Sequence, residues 1–172
     1  MKHGSAKSFQ FIGLIAIAAA LSATVTFADN YSEVSQLMRA GKLAEAQAKV
    51  DHYLAAKPRD PQLRFMKGVI QRDSGQVTDA LDTFTRLTED HPELPEPYNN
   101  LAVIFASQGQ YEKARSTLET AIKINPSYAT AHENLGDIYA KLASQSYCRA
   151  QQLDAANTTL PSNLAAIRGK SR

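Results

Sequence analysis

Apolar residues recur at helical spacing in three stretches of the chain. Ala46, Val50 and Tyr53 form one trio, Ala80, Phe84 and Leu87 a second, and Ala114, Leu118 and Ala121 a third. Steps of four and then three residues put each trio on one face of a helix. A glycine stands five residues before each trio, at Gly41, Gly75 and Gly109. Glycine takes the left-handed conformation that ends a helix at no steric cost. A proline stands five residues after each trio, at Pro58, Pro92 and Pro126. Proline pushes the residue before it out of the helical region, so the helix stops there. Every one of these columns repeats at an interval of 34 residues. The pattern predicts helix, turn, helix, stop, copied three times, with the small Ala letting the second helix approach the first.

The stretch "HPELPEPYNNLA" (91–102) holds three prolines within one such unit boundary. Pro92 ends one unit. Pro95 and Pro97 fall in the loop and first turn of the next, where the missing donor costs little. These prolines therefore punctuate one domain and do not divide two. After the third unit the pattern changes. The place of a fourth turn glycine holds Ala143, and no helix breaker follows until Pro161. Leu135, Ile138, Tyr139, Leu142, Ser146, Ala150 and Leu153 continue as one helical stripe. We expect one long helix from about 130 to 156, capping the array as repeat proteins require. The alternative is a degenerate fourth repeat that lacks its turn. On the long helix Cys148 lies nearly opposite the stripe and is expected to be exposed; in a strict fourth repeat it is buried.

The fullest unit is "PEPYNNLAVIFASQGQYEKARSTLETAIKINP" (95–126), with Tyr98, Leu101, Ala102, Phe105, Tyr111, Ala114, Leu118, Ala121 and Pro126 at signature places. This resembles the tetratricopeptide repeat family, with Tyr98 where that family usually has Trp. The resemblance implies an all-α, right-handed solenoid of three helix-turn-helix repeats at about 29–60, 61–94 and 95–128. The capping helix or degenerate fourth repeat would then occupy 129–157 and a tail 158–172. It also implies a concave face, lined by the first helix of each pair, that grips a protein or peptide. The family's groove positions fall on four columns. One holds Tyr31, Phe65, Asn99 and Glu133, and a second Ser35, Val69, Val103 and Asp137. A third holds Met38, Arg72, Ala106 and Ala140, and a fourth Arg39, Asp73, Ser107 and Lys141. Asn100 and Tyr128 stand beside them. The expected contact set is Tyr31, Met38, Arg39, Phe65, Val69, Arg72, Asn99, Asn100, Val103, Ser107, Tyr128, Glu133 and Asp137. Some family members clamp a terminal carboxylate with an Asn at the place of Asn100. Their cationic partner positions here are Phe65, Val69, Thr130 and Asn134. The cations are absent, and the resemblance instead favours Asn100 as a structural residue bonding backbone between repeats.

Charge and composition enter through the N-terminus. Lys2 and Lys7 precede an uncharged run from Ser8 to Ala28 that ends in "TFADN". This is the layout of a secretory signal peptide, residues 1–28, with cleavage expected after Ala28 and Ala23 as the second choice. The alternative is an uncut anchor, the only route by which the chain would meet a membrane. Its removal takes two lysines and leaves 17 basic against 17 acidic residues. No clustered positive charge remains to argue for nucleic acid. The leader and the resemblance together imply an exported bacterial protein in the periplasm, working in envelope or peptidoglycan assembly.

Little in the sequence points to catalysis. His52, His91 and His132 have no partner at metal-ligand spacing, and no phosphate loop or nucleophile elbow occurs. Neither a metal, a cofactor nor a small-molecule substrate is expected. The expected role is a non-catalytic scaffold for a protein or peptide, with a homo-oligomer as the alternative.

Overall fold

The structure is a computed structural model that describes residues 30–154. All the described elements are helices. They are α1 (30–39), α2 (Leu43–Ala56), α3 (Pro61–Asp73), α4 (Val77–Asp90), α5 (Pro95–Ser107), α6 (Tyr111–Ile124) and α7 (Ala129–Leu153). The expected signal peptide and tail, at 1–28 and 158–172, lie outside the described residues.

Each repeat glycine closes a helix in the same way. Gly41, Gly75 and Gly109 have φ of 69°, 79° and 74°. At the third turn, the Gly109 N–H donates to the Ala106 carbonyl at 3.0 Å, and the Gln110 N–H to the Phe105 carbonyl at 2.9 Å. This pair of bonds satisfies carbonyls that the helix end would leave orphaned. The same two bonds recur at Gly41 with Lys42 and at Gly75 with Gln76. The next helix starts at once, with the N–H of Ala46, Ala80 and Ala114 donating to the carbonyls of Lys42, Gln76 and Gln110. Those three alanines are fully buried. Pro95 and Pro97 lie in the first turn of α5, both buried.

The chain divides into two compact units, Met1–Ile70 and Gln71–Arg172. In the first, Val34, Ala46, Val50, Leu63, Met66 and Ile70 form the core, with Tyr31, Leu37, Met38, Tyr53 and Leu54 packed against it. Asp60 anchors this unit twice. One carboxylate oxygen accepts from the Leu63 N–H at 2.9 Å, capping α3. The other accepts from the Tyr31 hydroxyl at 2.7 Å. This contact raises the Tyr31 pKa to about 12, the hydrogen bond to Asp60 acting first and burial second.

In the second unit α5 packs on α4 and α6, and α7 packs on α6 and α5. Phe84, Leu87, Ile104 and Leu118 are its largest fully buried side chains. Each contributes about 1.5–3 kcal/mol by leaving water. Helix α7 runs unbroken through Ala143, so the capping helix forms and no fourth turn interrupts it. It is roughly 37 Å long against roughly 21 Å for α6. Its apolar stripe is only partly packed. Ala131 and Ile138 are buried, whereas Tyr139 is 48% and Leu153 75% exposed. Cys148 is half-buried and not exposed. Its short side chain sits among the longer Gln145, Gln151 and Gln152, three and four residues away on the same helix face.

Candidate functional site

Helices α5 and α7 run side by side over α6 and leave a cleft of about 240 Å³ between them. Its floor comes from Ala102, Leu118 and Ile138, all nearly fully buried. Val103 and Ala106 form one wall, one helical turn apart on α5, and Tyr111 adds its ring. Asn134, Asp137 and Lys141 form the rim on α7, at successive steps of three and four residues. Val103 is 36% exposed, a large apolar side chain facing solvent at the mouth. Asp137 and Lys141 are exposed, as is Glu133 one turn earlier. Among the described residues none of these three charges has an ion-pair or hydrogen-bond partner.

A chain of amides runs beneath this surface. The Asn134 side-chain N–H donates to Asn99 Oδ1 at 2.8 Å. Asn100 donates from Nδ2 to the Glu96 carbonyl of its own helix at 2.9 Å and accepts from the Arg72 guanidinium. Both Asn99 and Asn100 are only 6% exposed. A buried amide left without partners costs about 1–3 kcal/mol, so these bonds hold the helices in register. Arg72 is committed as well, pairing with Asp73 at 2.8 Å.

Residues 31–95 match the family described as "Tetratricopeptide repeat", and residues 103–143 the family described as "TPR repeat". The chain belongs to the tetratricopeptide repeat family. Photosystem I assembly protein Ycf3 of Prochlorococcus marinus (strain NATL1A) is 29% identical over 103 residues, 58% of this chain and 59% of that protein. The crystal structure of YrrB, described as a tetratricopeptide protein with an unusual peptide-binding site, superposes with a TM-score of 0.56 at 25% identity. It covers 60% of this chain and 54% of that one. TTC0263 of Thermus thermophilus superposes with a TM-score of 0.62 at 25% identity, covering 81% and 79%. The chain thus spans less than two thirds of the length of the Ycf3 and YrrB chains it matches.

The tetratricopeptide groove positions fare unequally. Val103 and Asp137 come together in the cleft, with Glu133 one turn beyond. Ser107 is exposed, but its hydroxyl donates to the Ile104 carbonyl of its own helix at 2.7 Å. Asn99 and Asn100 are not groove surface. They are buried packing amides, and Asn100 bonds its own helix and Arg72, not the backbone of a neighbouring repeat. Tyr128, half-buried, precedes α7; burial and then the negative charge of Glu96 raise its pKa. In the first unit Tyr31 and Met38 pack onto the core, and the Tyr31 hydroxyl is held by Asp60. Phe65 and Val69 are half-buried, and Arg39 is exposed. Sequence reasoning missed Tyr111, Leu118, Ala102 and Ile138 as the floor and wall of a site. All four occupy packing places, and nothing in their types separates a cleft floor from a core. Among the described residues no three His, Cys, Asp or Glu side chains converge as a metal site would require, and no helix is long and apolar enough to cross a membrane.

Proposed function

We propose that this tetratricopeptide chain is a non-catalytic protein-interaction scaffold that holds a partner polypeptide in the cleft between α5 and α7. One observation carries this reading: an apolar cleft, open at Val103 and rimmed by polar groups, on the helix faces the family uses for binding. Its size of about 240 Å³ lies below the roughly 300–1,000 Å³ of small-molecule sites and suits one large side chain of a bound polypeptide. The peptide-binding site in the description of YrrB and the assembly role in the name of Ycf3 support the same reading. The signal-peptide layout of residues 1–28 supports export to the periplasm, where we place the chain in envelope or peptidoglycan assembly. N-terminal sequencing of the mature protein should begin at Asp29.

A photo-crosslinking residue at position 103 tests the cleft. It should join a discrete partner in an envelope extract, whereas the same group at Lys123, exposed on α6, should not. Equal labelling at both positions would remove the cleft from consideration. A second reading, a homo-oligomer packed through the distal part of α7, is favoured by the exposure of Tyr139 and Leu153. A monomer mass independent of concentration in sedimentation would dismiss it.

A further inference from the structure

We infer that the polypeptide held in the α5–α7 cleft is an extended segment in which basic residues alternate with apolar ones. This rests on the cleft being a polypeptide site. The two walls differ in chemistry. Val103 and Ala106 make the α5 wall apolar, and Asp137 and Lys141 make the α7 rim charged, with the exposed Glu133 one turn before Asp137 just beyond the cleft. Along α7 the order is negative, negative, positive, at steps of four residues.

Four residues of α-helix rise roughly 6 Å. Two residues of extended chain rise roughly 6.6 Å. Alternate side chains of an extended segment therefore keep pace with Glu133, Asp137 and Lys141. The side chains between them point the other way, toward Val103 and Ala106. The complementary segment reads basic, apolar, basic, apolar, acidic, in the direction that aligns its basic residues with Glu133 and Asp137. Neither carboxylate is ion-paired among the described residues, and Lys141 stands one turn from Asp137 without bonding it, so pairing them with a partner displaces no existing ion pair. A terminal carboxylate or an acidic segment would meet repulsion from both.

The test uses two fluorescein-labelled peptides, Gly-Gly-Lys-Leu-Lys-Leu-Glu-Gly-Gly and its charge-reversed twin Gly-Gly-Glu-Leu-Glu-Leu-Lys-Gly-Gly, with binding read by anisotropy. The first should bind roughly threefold to tenfold more tightly, as three weak, exposed charge pairs allow. Raising the salt should shrink that ratio. Glu133→Lys with Asp137→Lys should invert the preference while helicity stays unchanged, since both side chains are exposed and unpaired. Val103→Glu should abolish binding of the apolar residues. Equal binding of the twins, or preference for the acidic one, with sensitivity to Val103→Glu retained would overturn the charge assignment and leave the cleft a polypeptide site. If neither peptide binds, the inference fails, and crosslinking from position 103 decides separately whether the cleft holds any polypeptide.

Discussion

The same substitution, Gly to Ala, should have opposite signs at two positions of the second unit. A Cβ built on Gly109 or on Gly136 meets nothing within 4 Å, so packing contributes to neither change. Gly109 sits at φ 74°, in the left-handed region that closes α5. An L side chain there costs about 1–2 kcal/mol. The stiffer unfolded chain returns about 0.4–1 kcal/mol. Gly109→Ala should therefore destabilise by about 1 kcal/mol. Gly136 lies inside α7, where exchanging glycine for alanine gains about 0.8–1 kcal/mol. The two variants should differ by about 2 kcal/mol in urea unfolding followed by circular dichroism at 222 nm. Ala143→Gly completes the set. If α7 passes through this position as a helix, glycine costs at least about 1 kcal/mol; if a fourth turn forms there, glycine is neutral or helpful. Changes of the same sign at 109 and 136 would refute the assignment of turn and helix. Stabilisation by Ala143→Gly would refute the continuous capping helix.

Three further outcomes follow from the polar contacts. Tyr31 titrates near 12 against an ordinary value of 10.0, because its neutral hydroxyl donates to Asp60. Its stabilising contribution is whole below pH 10 and is lost as pH rises from 10 to 12. The difference between the 295 nm titrations of the wild type and Tyr31→Phe should show one ionisation near 12; an ionisation near 10 would sink the contact. Asp60→Ala removes the α3 cap and the Tyr31 acceptor together and should cost about 1–3 kcal/mol by chemical denaturation. Asn134→Ala leaves the buried Asn99 oxygen without its donor and should cost about 1–3 kcal/mol, with an unchanged value excluding a structural role for the amide pair.

The repeat frame was legible because it rests on local rules. A glycine that must be left-handed, an alanine that must be small and a proline that ends a helix each act through the backbone, and all three columns fall where the 34-residue spacing put them. The long α7 was legible for the same reason, since Ala143 cannot supply the left-handed turn cheaply. Burial at the edge of a helix face was harder to read. Asn99 belongs to a groove column, yet it is buried because Asn134 reaches across from α7 to bond it. That contact joins residues 35 apart and leaves no local trace. Tyr139 is the reverse case. Its place in the apolar stripe is correct, yet it is 48% exposed, and its hydroxyl donates to Glu119 of α6 at 3.3 Å.

The buried amides also decide what kind of groove this can be. A carboxylate clamp needs cations placed where they can meet a ligand. Here Arg72 is the cation of the second unit nearest such a role, and its guanidinium is spent on Asp73 and on Asn100. Asn100, the residue most like a clamp member, spends its own amide on the Glu96 carbonyl. Freeing Arg72 for a ligand would leave the buried Asn100 oxygen unpaired, at about 1–3 kcal/mol, before any contact with the ligand is made. The groups that can be engaged without such a loss are Glu133, Asp137 and Lys141, each already in water. Recognition in this cleft therefore falls to Val103, to the rim charges Asp137 and Lys141 and to Glu133 one turn beyond, and two of those three charges are negative.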